Sequence, residues 1–247
     1  MLPEQLDLYD FEYYRNKYEV PRNANSWLIN KHMRFGDLLA GLIYIHGISW
    51  DTMVEYFSDY FVDNPDGQYK QNQYTLQDQL NFILQKKQRT PKKVLEIGGG
   101  RGDLSTVCKF LGYEITSIEP SRVANKWYTM TAHQFFGKQY EPVIPLNIPL
   151  SDFTEDLYDY DSIVLIESLE HIFESEFEPF YEKIKTQFKG LFVTTNWKFF
   201  WPIPIGSGGP LGHLDHCRLI DDNLYDRYSN DAKRVVYRDH SHLVLEY

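Results

Sequence analysis

Apolar residues along this chain recur at two different spacings, and the change falls near residue 93. From Trp27 to Ile45 the apolar positions Leu28, Phe35, Leu38, Leu42 and Ile45 follow helical spacing. After Ser49 a second helical face is made by Met53, Phe57, Tyr60 and Phe61. Residues 62–73, VDNPDGQYKQNQ, contain Asn-Pro and Asp-Gly and read as a loop. Thr75 to Lys87 opens with Thr75 and Asp78 at capping-box spacing and carries Leu76, Leu80 and Ile83 on one side, which predicts a helix lying against a sheet. The first 24 residues are polar and tyrosine-rich, a helix or arm ending near Glu19.

Beyond Lys93 the apolar runs shorten and alternate with helical patterns. Strands are expected at 94–97, 113–119, 142–145, 162–166 and 191–195, and a closing pair at 234–240 and 242–247. Helices are expected after Asp103, after Ser121 as far as Gly137, and around Phe177, Phe180, Tyr181 and Ile184. This alternation predicts a doubly wound α/β fold with a mostly parallel, seven-stranded sheet closed by an antiparallel C-terminal hairpin. The division expected is an N-terminal helical cap over 1–74 and one α/β domain over 75–247.

The first strand runs into three glycines, KVLEIGGGRGDL over 93–104. Gly98, Gly99, Gly100 and Gly102 lack the β-carbon that keeps backbone away from a ligand, and Asp103 is placed to cap the following helix. A dinucleotide fingerprint needs a third glycine where Asp103 stands, and a pyrophosphate is ill served by Glu96 and Asp103 beside it. The run G-x-G-x-G with Glu96 two residues ahead resembles motif I of the class I S-adenosylmethionine-dependent methyltransferases. The resemblance covers about 93–247 and implies a Rossmann-like methyltransferase fold and a donor carrying cationic sulfonium and ammonium groups, which acidic neighbours suit. Glu119, about 21 positions beyond Gly98, stands at the end of the second strand, where a carboxylate accepts from both ribose hydroxyls. Pro120 follows it, and Asn147 or Asp152 is expected at the adenine.

A second group, Glu167, Glu170 and His171, stands where the strand 162–166 gives way to its loop. Together with Thr-Thr-Asn at 194–196 and His213-Leu-Asp-His216, it is similar to the small-RNA 3′-terminal 2′-O-methyltransferases. That likeness implies a magnesium ion held by Glu167, Glu170, His171 and either His213 or His216, engaging the ribose hydroxyls of an RNA 3′ end. Read from residue chemistry, the same group also serves as a metal-free polar site in which His171 accepts or relays the substrate proton. A helix-capping glutamate beside a partly buried histidine is the third reading. The loop 197–216 carries Trp197, Phe199, Phe200 and Trp201 and suits either a lid or a packed plug. His240 and His242 flank the hairpin turn as surface residues.

Charge and composition narrow the acceptor. A net charge of -10 disfavours a broad grip on nucleic acid, and the basic run KKQRTPKK over 86–93 precedes the first strand, away from the ligand edge of such sheets, so it reads as a solvated face. No apolar run approaches the roughly 18 residues of a membrane span, and the start lacks a secretory pattern. With 2 cysteines a disulfide framework is excluded, and Cys108 falls on the apolar side of its helix. The expectation is a cytoplasmic enzyme moving a methyl group from S-adenosylmethionine to an oxygen, less readily a nitrogen, of a polar small-molecule or sugar-like acceptor. An RNA ribose methyltransferase and a non-catalytic donor-binding protein stand as alternatives.

Overall fold

The structure is a computed structural model, and it describes residues 41–49, 52, 82–196, 218–239 and 242–247. Residues 1–40, most of the helices expected near 49–61 and 75–87, and the loop 197–216 with His213 and His216 lie outside the described residues, as does His240. Among the described residues six strands form the sheet: β1 (Lys93–Ile97), β2 (Glu114–Ile118), β3 (Ser162–Ile166), β4 (Leu191–Thr195), β5 (Arg234–Arg238) and β6 (His242–Glu246). Their spatial order is β2-β1-β3-β4-β6-β5; the first four are parallel, and β6 runs antiparallel to both β4 and β5. Chain order reverses direction between β1 and β3, which opens a crevice at the carboxyl ends of those two strands.

The expected seven strands are therefore six. The stretch 142–145 forms no strand, and next to it only Leu146 makes a parallel bridge, to Ile118. Its N–H donates to the Ser117 carbonyl at 2.8 Å, and Glu119 N–H donates to the Leu146 carbonyl at 3.0 Å. Pro142 and Pro145 have no N–H to give, so a continuous ladder along β2 cannot form.

Period-2 alternation sorts the strand side chains between two cores. Val94, Val164, Val193 and Val244 face one side, covered by Leu42, Ile43 and Ile45 from the helical residues 41–46, by Phe82 and Ile83, and by Val107 and Cys108 of α1 (Asp103–Phe110). Leu95, Ile163, Leu165, Phe192 and Leu245 face the other, covered by Phe177, Phe180 and Ile184 of α3 (Glu174–Gln187) and by Tyr225 and Tyr228 of α4 (Asp222–Asp231). Between β2 and the Leu146 bridge lies α2 (Ala124–Phe136), whose Tyr128 is fully buried.

The apolar pattern does not anticipate α4. Its sequence DNLYDRYSND is mostly polar, and burial rests on two tyrosines three residues apart; the Asp221 carboxylate caps it by accepting from Leu224 N–H at 2.9 Å. Asp103 does not cap α1 as expected. Gly102 is the N-cap, and Asp103 sits in the first turn, where its charge still meets the positive end of the helix dipole.

The two cores set a stability contrast. Leu165→Ala removes a fully buried side chain and is expected to lower unfolding free energy by about 2–5 kcal/mol. Leu146→Ala, at a position 37% exposed, is expected to cost less than about 1 kcal/mol. Urea titrations of both variants check this, and equal losses would mean that the edge bridge carries core packing.

Candidate active site

The glycine turn is shaped by what lies beneath it. A β-carbon on Gly99 would stand 1.9 Å from the Tyr128 hydroxyl and 2.7 Å from Glu96 Oε2, and one on Gly102 would stand 2.5 Å from the Tyr128 ring. Gly98 is pressed against the second loop of the crevice, where a β-carbon would lie 2.5 Å from Ser168 Cβ. Gly100 differs: at φ +56 it has nothing among the described residues within 4 Å of where a β-carbon would project. Three of these glycines thus let protein pack on protein, while the fourth faces none of the described residues.

Glu96 is 4% exposed and lies under the turn. Its Oε2 accepts from the Ser105 hydroxyl and, at 2.8 Å, from the Ser117 hydroxyl, which also contacts Tyr128 OH at 2.7 Å. Burial pushes the Glu96 carboxyl above the ordinary carboxylate range, and the two serine hydroxyls pull it part of the way back. The same burial, with Glu96 next to it, pushes the Tyr128 phenol up.

Glu119 is fully buried at the end of β2. One carboxylate oxygen accepts from Gly100 N–H at 2.7 Å and the other from Ser121 N–H at 3.0 Å. Glu119 thus ties the glycine turn to the turn that follows β2. Pro120 is exposed beside it. Asn147 reaches this turn, donating from Nδ2 to the carbonyls of Glu119 at 3.0 Å and Ser121 at 3.1 Å and accepting from Asn125 at 3.0 Å. Asp152 lies further on, exposed in the short turn Leu150–Asp152.

The second loop starts at Glu167, the one non-glycine residue with positive φ among the described residues, at +49. Its N–H donates to the Thr195 carbonyl at 2.9 Å, and Ser168 Oγ donates to the Ile97 carbonyl at 2.8 Å, so this loop is tied to the ends of both neighbouring strands. Glu167 and His171 are half-buried, whereas Glu170 is 2% exposed. Asn196 explains that burial. With its amide oriented to suit its neighbours, Nδ2 donates to Glu170 Oε2 at 2.9 Å and Oδ1 accepts from Tyr225 OH at 3.0 Å and Thr194 Oγ1 at 2.8 Å. The Tyr225 hydroxyl is pushed up by burial and by the nearby Glu170 and Glu167 carboxylates. Tyr225 comes from α4, more than fifty residues away in sequence, and only its helical register with Tyr228 could have drawn attention to it.

The metal implied by the RNA-methyltransferase likeness would need Glu167, Glu170, His171 and either His213 or His216. Among the described residues no group of three or more His, Cys, Asp or Glu side chains converges to hold an ion, and Glu170 is already turned to Asn196. His213 and His216 lie outside the described residues. S-adenosylmethionine fits the site: among the described residues nothing fills the space beside Gly100, and the Glu119 carboxylate stands next to it, bonded to the Gly100 N–H.

A switch-point crevice floored by a glycine turn, with a buried acidic residue ending β2 and no third glycine for a pyrophosphate, defines an S-adenosylmethionine-dependent class I methyltransferase. Residues 69–191 match the family model described as a methyltransferase domain, so this stretch of the chain is a methyltransferase domain. None of the curated proteins matches it. Among solved structures it is similar to TehB from Haemophilus influenzae, at 15% identity over 64% of this chain and 58% of that one, with a TM-score of 0.48. It is also similar to a 1,6-didemethyltoxoflavin N1-methyltransferase from Burkholderia thailandensis, at 15% identity over 63% and 69% of the two chains and a TM-score of 0.45. The plantazolicin methyltransferase BpumL aligns over 92% of this chain and 65% of its own, at 16% identity and a TM-score of 0.42. Likeness at this level says nothing of the acceptor.

Positive φ at Glu167 is a stored cost. Glu167→Gly is expected to raise unfolding free energy by about 1 kcal/mol, because glycine adopts that backbone freely. Chemical denaturation checks it, and a loss of stability would mean that the contacts of the carboxylate outweigh the strain.

Proposed function

We propose that the chain transfers a methyl group from S-adenosylmethionine to an oxygen of a polar small-molecule or sugar-like acceptor. The observation that supports this is the direct packing of the glycine turn, at Gly98, on Ser168 of the loop that carries Glu167 and His171. The donor supplies an already activated methyl group on sulfur. What remains for the protein is alignment and, for a hydroxyl acceptor, removal of a proton.

Glu119 and the open face at Gly100 hold the nucleoside end of the donor, and Asn147 stiffens the turn that carries Glu119. Glu96 acts on the donor indirectly, by fixing the glycine turn from below through Ser105 and Ser117. His171 takes the acceptor proton, and Glu167, half-buried like it, orients the acceptor. Glu170, held by Asn196, positions this loop. The catalytic domain is taken as 75–247, with 1–74 as an extension to it.

These roles separate in measurement. Glu119→Ala is expected to weaken S-adenosylhomocysteine binding by about tenfold or more, since it removes charge-assisted hydrogen bonds. His171→Ala is expected to keep that affinity within about twofold while turnover falls on the order of 100-fold. Calorimetry gives the first quantity, and S-adenosylhomocysteine release in the presence of pooled hydroxylated small molecules gives the second. Equal loss of donor affinity in both variants would sink the division of roles. Donor binding without product from any pool would leave a binding protein.

A further inference from the structure

At the amino ends of the strands, a strand's length from the donor crevice, the structure has a cavity of about 930 Å³. It lies between the turn after the helical residues 41–46, the start of β4 and the outer hairpin. Four cationic side chains line it, Arg89, Lys189, Lys233 and Arg234, against one acidic side chain among the described residues, Glu246. In a chain of net charge -10 this is a local reversal of sign.

Lys233 and Arg234 by themselves would be an ordinary solvated pair on Glu246, at 3.3 and 2.6 Å. Arg89 changes the picture. Its guanidinium is half-buried, and the acceptors of its Nε–H and of one Nη2–H are neutral, the Ile45 carbonyl and, at 3.0 Å, the Ser162 hydroxyl. Among the described residues no carboxylate stands within ion-pair distance of it. Burial pulls its proton affinity down, with Asp161 and Glu246 opposing only from a distance. A cation taken partly out of water without a counter-charge is costly, and it is repaid when an anion enters beside it. Lys189, exposed on the turn into β4, has no carboxylate partner among the described residues and faces the same space. The two uncompensated cations, on separate segments, make a two-point receptor for a multiply charged anion, with Tyr237 stacked on Tyr44 at 5.4 Å along one wall.

We infer that this cavity is a second binding site, for a diphosphate group either free or carried by a small organic molecule, held between Arg89 and Lys189. Its size is that of a small-ligand pocket, and its guanidinium offers the paired N–H geometry that phosphate oxygens accept.

The test is calorimetric titration of the full chain with inorganic pyrophosphate and with ADP, each with and without saturating S-adenosylhomocysteine. Both probes are expected to bind irrespective of S-adenosylhomocysteine. Arg89→Gln and Lys189→Glu are each expected to weaken them by about tenfold, with S-adenosylhomocysteine affinity unchanged. Equal affinity for the two probes assigns the free ion, and tighter ADP binding assigns an organic carrier. The Lys189 side chain makes no hydrogen bond among the described residues, so its variant keeps the test open if Arg89→Gln destabilises the fold. No heat with either probe at millimolar concentration, unchanged binding in Lys189→Glu, or displacement of the probes by S-adenosylhomocysteine would overturn the proposal.

Discussion

Backbone packed against Tyr128 and Ser168 with no room for a β-carbon is the constraint from which the donor crevice follows. Because Gly99 and Gly102 rest on Tyr128 and Gly98 on Ser168, the turn has one course available to it, and that course points the Gly100 N–H at Glu119. Glu119 is then fixed from two sides, by Gly100 and by Ser121. The turn and the acidic residue therefore hold each other, and a single buried phenol, supported by Ser117 and Glu96, underlies both.

Much of this could be read along the chain because it is local. The apolar run of β1, the glycines and the carboxylate ending β2 fall within about thirty residues, and each signal carries its own physical reason. Less legible was what the glycines are for. In sequence all four offer close approach to a ligand, and the folded chain shows that three of them answer to Tyr128 and Ser168, residues about thirty and seventy positions on. The missing seventh strand was legible in principle, since Pro142 and Pro145 stand inside the segment, but an apolar Val-Ile pair outweighed them.

The second loop shows the opposite case. Glu167, Glu170 and His171 were visible as a cluster, yet their division into two half-buried groups and one interior group depends on Asn196 at the end of β4 and Tyr225 on a helix whose polar sequence gave little sign of itself. Contacts between segments so far apart have no local signature. The same holds for Arg89: within KKQRTPKK it is one basic residue among several, and only packing against Ile45 and Ser162 distinguishes it from its solvated neighbours.

The outer strand bears on how the molecule behaves among its copies. Along β5, Val235 and Val236 are 41% and 43% exposed, the sort of apolar margin to which another chain could add a strand. A register shift between Val235 and Tyr237 breaks the even spacing of the ladder there, and Arg234 and Arg238 stand at either end with their charges tied to Glu246, Asp222 and Asp226. An incoming strand would meet a kinked template flanked by arginines, so the sheet tends to end where this chain ends it, and polymer growth is discouraged by shape before solubility is called upon.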